Sequence, residues 1–200
     1  MDIKIKRCER VKFLYNKKWS GPDIAKKLVI NQRYVYRILD RLGVKRRTVF
    51  EQNKINFLKS PLSFKFKDKL SIKEKELLIA AVMLYYGEGA KTGKTVDLAN
   101  SDPVMLKIFL KFLRKICRTD ESKLRFYLYC FSNQNSDELI AFWCNFLKVK
   151  KENFTKPYIK DFDHKNKRTM PYGVLHVRYS DLRLLNKILL LNSKLVKELV

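Results

Sequence analysis

Glu88 is the residue whose type and position most strongly suggest chemistry. It stands between Gly87 and Gly89 in the stretch MLYYGEGAK, directly after an apolar run, in a chain with few acidic residues. If that run is a helix, the carboxylate lies at its C-terminus, where the macrodipole disfavours a negative charge. A carboxylate in that position favours a bound cation, and a divalent metal beside a nucleic-acid phosphate is the obvious candidate. Glu88 is therefore a predicted metal ligand; a polar stop between two turn glycines is the alternative.

The charge balance points to a polyanionic partner. The 200-residue chain has 44 Lys and Arg against 20 Asp and Glu, a formal net charge of +24. Such a surface repels itself and suits nucleic acid, an anionic membrane or an acidic protein. No apolar stretch reaches the roughly 18 residues that a membrane span needs, and the N-terminus lacks the apolar core of a signal peptide. We therefore expect a nucleic-acid partner, a cytoplasmic or nucleoid location and no membrane association.

The cysteines and histidines give no sign of a zinc site, because zinc ligands usually come in close pairs. The four cysteines are Cys8, Cys117, Cys130 and Cys144. We interpret them as free thiols in a reducing compartment. His164 lies in a basic loop with Asp161 and Asp163, a grouping that could bind a metal but is more typical of a surface loop.

The elements that must position these groups begin with a small all-α domain over residues 1–47. A helix over residues 8–18 precedes the stretch WSGPDIAKKLVINQRYVYRILDRLGVKRR. In that stretch Ser20 can cap one helix and Asn31 the next, which Gly43 ends. Apolar spacing in the last of these helices predicts that three side chains are buried. They are Val35, Ile38 and Leu42.

This pattern resembles the helix-turn-helix of resolvase-type and regulator DNA-binding domains. In that motif the second helix enters the major groove. The resemblance implies four DNA-binding side chains, which are Gln32, Arg33, Tyr34 and Arg37. A protein-interaction module with a solvated charged face is the alternative. The excess of basic residues over residues 1–48 favours DNA.

Residues 48–70 are predicted to be a basic linker. The stretch lacks helical periodicity and Pro61 interrupts it, while FKFKDKL alternates apolar and charged residues, as an extended segment or a short strand does. Such a linker could follow a phosphate backbone or be a solvated tether.

Residues 71–200 predict a mixed α/β domain. Ser71 and Glu74 form a capping box ahead of ELLIAAVMLYY, a run apolar nearly all round and therefore expected to be central or at a subunit interface. A strand, TVDLANSD, and a helix beginning at Pro103 follow. The later stretches predict, in order, a strand, a helix, two strands and a closing helix. They are KLRFYLYCF, SDELIAFWCNFLKV, NFTKPYIK, YGVLHVRYS and DLRLLNKILLLN.

AVMLYYGEG and the elements after it resemble the LAGLIDADG family of homing endonucleases. Glu88 stands at the acidic position before the last glycine of the family signature, and the likeness covers roughly residues 71–192. It implies an α+β chain with an all-α helix-turn-helix domain followed by a LAGLIDADG-like α/β saddle domain. Three features depart from the family pattern. Met83 replaces a small residue of the signature, and Tyr85 and Tyr86 are bulkier than usual at its end. Only AKTGK stands where the family has a long hairpin that reads bases.

The resemblance also implies how the protein would act. Family members with one signature form homodimers in which the signature helices lie side by side and one acid from each reaches the scissile phosphates. For this chain it implies a homodimer through the Leu77–Tyr86 helix, with Mg²⁺ bound by Glu88 and its symmetry mate.

Four further residues complete the implied site. Asp102 matches a polar residue at the end of a strand, which a helix N-cap explains equally well. Arg178 matches a basic residue near the end of the last strand. Asp102, Arg178 and Glu88 form the implied catalytic set. Lys91 and Lys94, just after the signature, are expected to contact phosphates.

Two functions are compatible with this fold. The leading hypothesis is a site-specific homing-type endonuclease that hydrolyses DNA phosphodiesters with Mg²⁺ as a homodimer. The alternative is a non-catalytic transcription regulator, because some sporulation-type regulators couple such a domain to a helix-turn-helix and have lost nuclease activity. Met83 and the short AKTGK stretch favour the regulator. RNA binding is a weaker third hypothesis, because the sequence does not indicate paired surface aromatics on a sheet.

Overall fold

The computed structural model describes residues 3–162 and 170–200. The chain is divided into two compact units. The first runs to Pro61 and the second begins at Leu62. The first unit has four helices: α1 (Ile3–Asn16), α2 (Gly21–Leu28), α3 (Gln32–Arg41) and α4 (Val49–Lys59). The second has four more, α5 (Ile72–Glu88), α6 (Pro103–Lys115), α7 (Ser136–Leu147) and α8 (Leu182–Leu199), and four strands, β1 (Val96–Asn100), β2 (Leu124–Phe131), β3 (Tyr158–Lys160) and β4 (Val174–Tyr179). The described residues therefore form an α+β structure, as predicted.

The small core of the first unit follows from its helix caps and apolar spacing. The Ser20 hydroxyl accepts a hydrogen bond from the Asp23 amide at the start of α2, and Asn31 Oδ1 accepts one from the Arg33 amide at 2.8 Å at the start of α3. The fully or nearly buried residues are Val11, Leu14, Tyr15, Ile24, Ala25, Val35, Ile38 and Leu39. Leu39 takes the place predicted for Leu42, which is 37% exposed because α3 ends one residue before it.

The first half of the expected linker is a helix, α4, although the sequence there lacks helical periodicity. Thr48 and Glu51 cap α4 reciprocally, the hydroxyl accepting from the Glu51 amide and the carboxylate accepting from the Thr48 amide. No residue of α4 is buried. A helix that buries no side chain needs no apolar stripe, which explains the missing periodicity.

The second half of the expected linker packs on the second unit. The amides of Lys65 and Lys67 donate to the carbonyls of Cys117 and Ile116, each at 2.9 Å. Phe66 packs edge-on against Phe112 of α6, with ring centroids 6.3 Å apart. These contacts make residues 62–70 part of the α/β core rather than a free tether.

The sheet of the second unit has the order β1-β4-β2-β3. β4 is antiparallel to both β1 and β2, and β3 runs parallel to β2. Alternate residues of the strands are buried against α5, α6, α7 and α8, all of which contact the sheet. They include Val96, Leu98, Leu124, Phe126, Leu128, Leu175 and Val177. The predicted strands and helices of this unit all occur in the predicted order, with β3 shorter than expected.

Candidate nucleic-acid interface

Helix α3 presents the polar side chains that the sequence selected. Gln32, Arg33 and Arg37 are exposed, and Tyr34 is half-buried with the Arg37 guanidinium 5.5 Å from its ring centroid. The opposite face of α3 forms the core of the first unit. A helix held by one face therefore offers a row of hydrogen-bond donors on the other.

A groove of about 680 Å³ runs along this face of α3. Its lining residues are Asn31, Arg33, Tyr34, Tyr36, Arg37 and Arg46. The sequence analysis did not select Tyr36 and Arg46. Arg46 lies 4.9 Å over the Tyr36 ring and pairs with Asp40, lowering the pKa of that carboxyl group. The basic run after Gly43 is the signal that could have indicated Arg46.

Glu88 is the last residue of α5 and is exposed. No hydrogen bond or ion pair joins its carboxylate to any residue that the structure describes. The next residue, Gly89, forms a bridge to Leu98 of β1, so Glu88 projects where α5 meets the edge of the sheet. The carboxylate is thus available to a ligand.

The two glycines that flank Glu88 have different surroundings. A Cβ on Gly89 would lie 2.5 Å from the Tyr85 ring, a distance that atoms do not reach, so this position requires glycine. A Cβ on Gly87 would meet no atom within 4 Å. Gly87 lies inside α5 rather than after it, so only Gly89 allows the chain to leave the helix.

Asp102 is the N-cap of α6. Its Oδ1 accepts hydrogen bonds from the amides of Val104 at 2.7 Å and Met105 at 3.4 Å. The sequence left open whether Asp102 is a helix N-cap or part of a catalytic site, and these contacts are those of an N-cap. That engagement leaves less of the carboxylate for a metal.

Arg178 belongs to a network centred on Asp97, which sequence reasoning missed. Asp97 in β1 faces Arg178 in β4 directly, and Arg178 Nε donates to Asp97 Oδ2 at 2.8 Å. Asp97 Oδ1 lies 2.9 Å from Nδ1 of His176. Burial raises the pKa of Asp97, but His176 and Arg178 together outweigh it, so the pKa lies below the ordinary value. Only the strand register reveals this pairing.

The face of the sheet opposite the helices has a cluster of rings, which we call the aromatic surface. It consists of Tyr127, Tyr129, Tyr158 and His176. Tyr129 is its centre, with centroid distances of 4.9 Å to Tyr127, 4.9 Å to His176 and 5.1 Å to Tyr158. The sequence analysis did not expect paired aromatics on a sheet, because alternation in single strands does not tell which strands are neighbours.

Lys91 and Lys94 lie in the loop between α5 and β1, and both are exposed. The Lys91 ammonium is 5.5 Å from the ring centroid of Tyr86. Contact of these two lysines with phosphate stays a prediction.

Helix α5 buries one face and exposes the other. Ala81, Val82 and Tyr85 are buried, whereas Ile79 and Tyr86 are 45% and 47% exposed. The helix that the sequence predicted to be central or at a subunit interface therefore has one buried side and one uncovered apolar side.

Few side chains among the described residues are placed to bind a metal ion. Among residues 3–162 and 170–200, no group of three or more His, Cys, Asp and Glu side chains could hold an ion. Asp163 and His164, which the sequence groups with Asp161, lie outside the described residues. Mg²⁺ usually binds one or two carboxylates together with phosphate oxygens, and the exposed Glu88 suits that habit. Burial raises the pKa of the Cys117 and Cys130 thiols, which disfavours thiolate ligands.

Comparisons of the chain with protein-family models, curated proteins and solved structures gave no match. Among the helices that the structure describes, none is long and apolar enough to cross a lipid bilayer.

Proposed function

We propose that the chain binds double-stranded DNA and selects its site through α3. The exposed row of Gln32, Arg33 and Arg37, on a helix whose opposite face is core, is the observation that carries this proposal. Arg and Gln side chains match the hydrogen-bonding edges of guanine and adenine in the major groove. The net charge of +24 supplies the attraction to phosphate on which affinity depends.

The protein acts as a homodimer through α5 in this proposal. Ile79 and Tyr86 form an uncovered apolar side of that helix, and the space beside Gly87 leaves room for close approach by a second helix. Two copies would bring two Glu88 carboxylates towards each other. The LAGLIDADG-like saddle proposed from the sequence is compatible with the α+β architecture of residues 62–200.

We also propose that the dimer cleaves DNA, with Glu88 as the metal ligand. When bound, Mg²⁺ would supply charge neutralisation at the scissile phosphate and an activated water. The chain itself contributes an exposed carboxylate at Glu88 and a guanidinium at Arg178 that Asp97 holds in place. Lys91 adds a cation for the neighbouring phosphate.

One observation favours the second candidate, a non-catalytic regulator. Asp102, which the resemblance placed in the catalytic set, caps α6. Glu88 is then the one acid of that set without a partner among the described residues. A regulator would keep the DNA contacts of α3 and need no second carboxylate.

The decisive experiment is a cleavage assay on a plasmid library with randomised targets, titrated with Mg²⁺ and Mn²⁺. The endonuclease proposal predicts linear or nicked product from wild type and none from Glu88→Gln. Glu76→Gln is the matched control, because Glu76 is an exposed glutamate on the same helix. Equal cutting by Glu88→Gln would overturn the assignment of Glu88. Site-specific binding without product, in wild type and both variants, would select the regulator.

A further inference from the structure

We propose that the aromatic surface is a binding site for unpaired bases of a single-stranded nucleic acid. This activity goes beyond duplex recognition by α3 and does not depend on it. The two surfaces belong to different units of the chain.

The rings form a continuous patch across three neighbouring strands. Tyr127 and Tyr129 stand on β2, His176 on β4 and Tyr158 on β3, so the patch follows the order of the sheet. Tyr158 is 49% exposed at the edge of the sheet, and the other three rings are half-buried and lie beside one another. Rings fixed in this way lose little conformational entropy when a base stacks on them.

Positive charge surrounds the rings on the same face. Strand alternation places Arg125, Lys160 and Arg178 on the side of the sheet that presents the tyrosines. The Arg178 guanidinium is 5.0 Å from the Tyr127 ring centroid. The acid among these strands, Asp97, is already engaged by His176 and Arg178. Rings interleaved with cations suit a polymer of planar bases joined by phosphates.

A pocket of about 310 Å³ lies at the β2–β3 end of the patch. Tyr129, Tyr158 and His176 line it together with Lys160 and Val174. This volume is at the lower end for small-ligand sites, which suits one planar heterocycle rather than a larger molecule. Lys160 is then placed to meet the phosphate of the inserted nucleotide.

Unpaired bases fit this surface better than a duplex does. In a duplex the faces of the bases are stacked inside the helix, and only their edges reach the grooves. Ring faces can bind base faces only when the bases are unstacked, as in single strands and loops. The surface of α3, rich in Arg and Gln, is the one that suits base edges.

The test compares ligands that differ in bases but not in phosphates. Fluorescein-labelled oligothymidylate, oligouridylate and an abasic oligomer, each of about 12 nucleotides, are titrated with the full chain by anisotropy. We expect wild type to bind the two base-bearing oligomers about tenfold or more tightly than the abasic one, because each stacked base contributes appreciably. The ratio of the first two affinities tells whether DNA or RNA is preferred.

Variants locate the site. Tyr158→Ala and Tyr129→Ala should each lower the affinity for oligothymidylate about tenfold, whereas Tyr158→Phe, which keeps the ring, should retain it. Phe13→Ala is the matched control, because Phe13 is a 58% exposed aromatic in the other unit. Thermal melting identifies any variant that does not fold, and Tyr158, at the exposed edge, is the safer site.

The wild-type comparison with the abasic oligomer remains informative even if a variant fails to fold. Equal affinity for abasic and base-bearing oligomers would overturn the proposal. So would an equal loss of oligothymidylate and duplex binding in Tyr158→Ala, since the face would then bind phosphate in either form. Duplex binding, measured in parallel with Arg37→Ala, separates failure of this inference from failure of the function proposed for α3.

Discussion

The polar surface of α3 and the aromatic surface of the sheet hold their side chains in different ways. On α3, Arg33 and Arg37 extend from a helix whose position depends on one cap and a small core. On the sheet, Arg178 and His176 are fixed by hydrogen bonds to Asp97. Long side chains in solvent can adapt to base edges, whereas fixed rings present a preformed plane. The two surfaces are thus suited to different forms of nucleic acid, and four experiments test that division.

Salt should separate the two surfaces most strongly. If α3 and the residues around it engage about six phosphates, duplex affinity should fall about 10³-fold between 50 and 200 mM salt, because counterions are released. Three cations lie beside the aromatic surface, so the affinity for oligothymidylate should fall only about twentyfold over that range. Anisotropy titrations at several salt concentrations measure both slopes. Equal slopes would indicate that one surface binds both ligands.

Removal of one arginine from α3 should affect duplex specificity next most strongly. Arg33→Ala and Arg37→Ala should each lose about 1–3 kcal/mol of discrimination between cognate and mismatched duplexes. Arg10→Ala, an exposed arginine on α1, is the charge-matched control. Lys91→Ala should instead weaken all duplexes alike and lower the salt slope by about one. Identical behaviour of Lys91→Ala and Arg37→Ala would reject the assignment of α3.

Loss of the N-cap of α3 should destabilise the first unit and leave the second unchanged. Asn31→Ala removes the acceptor of the Arg33 amide and should lower the free energy of unfolding by about 1 kcal/mol. Duplex binding should weaken with it, while oligothymidylate binding should not change. Chemical denaturation in a Trp143→Phe background, in which Trp19 is the one remaining tryptophan, measures the stability of the first unit by fluorescence. Asn53→Ala, an exposed asparagine in α4, serves as the comparison and should have little effect.

The smallest expected effect is a pH dependence that originates on the sheet. Because the pKa of Asp97 is lower in the folded than in the unfolded chain, its contribution to stability is present above the ordinary value of 3.8 and is lost as the pH falls below it. The difference in unfolding free energy between wild type and Asp97→Asn should therefore shrink as the pH falls below about 4. A difference that grows on acidification would contradict the pairing with Arg178 and His176.

Sequence patterns predicted the second unit well because its elements bury apolar faces. Periodicity identified α6 and α7, and alternation identified β2 and β4, since each leaves its mark on the core. Helix α4 was missed because it buries no residue, so its signal was the capping pair Thr48 and Glu51 rather than an apolar stripe.

The residues of the candidate sites were predictable only where their role depends on neighbours in the sequence. Glu88 between its glycines, and the row on α3, depend on neighbours in sequence. Asp97 acquires its partners through the register of β1 with β4, which pairs it with Arg178 from 81 positions away along the chain. The aromatic surface likewise needs the strand order, because β3 and β4 flank β2 from opposite sides.

Substitution of Gly87 by alanine should have opposite effects on the stability of the fold and on the proposed dimer. Alanine there would meet no atom and, in a helix, is favoured over glycine by roughly 0.5–1 kcal/mol, so the isolated fold would gain from it. The same methyl group would fill the space beside α5 in which the proposed second copy approaches. A directed-evolution screen for heat resistance should therefore select Gly87→Ala, and a screen for dimerisation should reject it. Position 89, closed by Tyr85, should remain glycine in both.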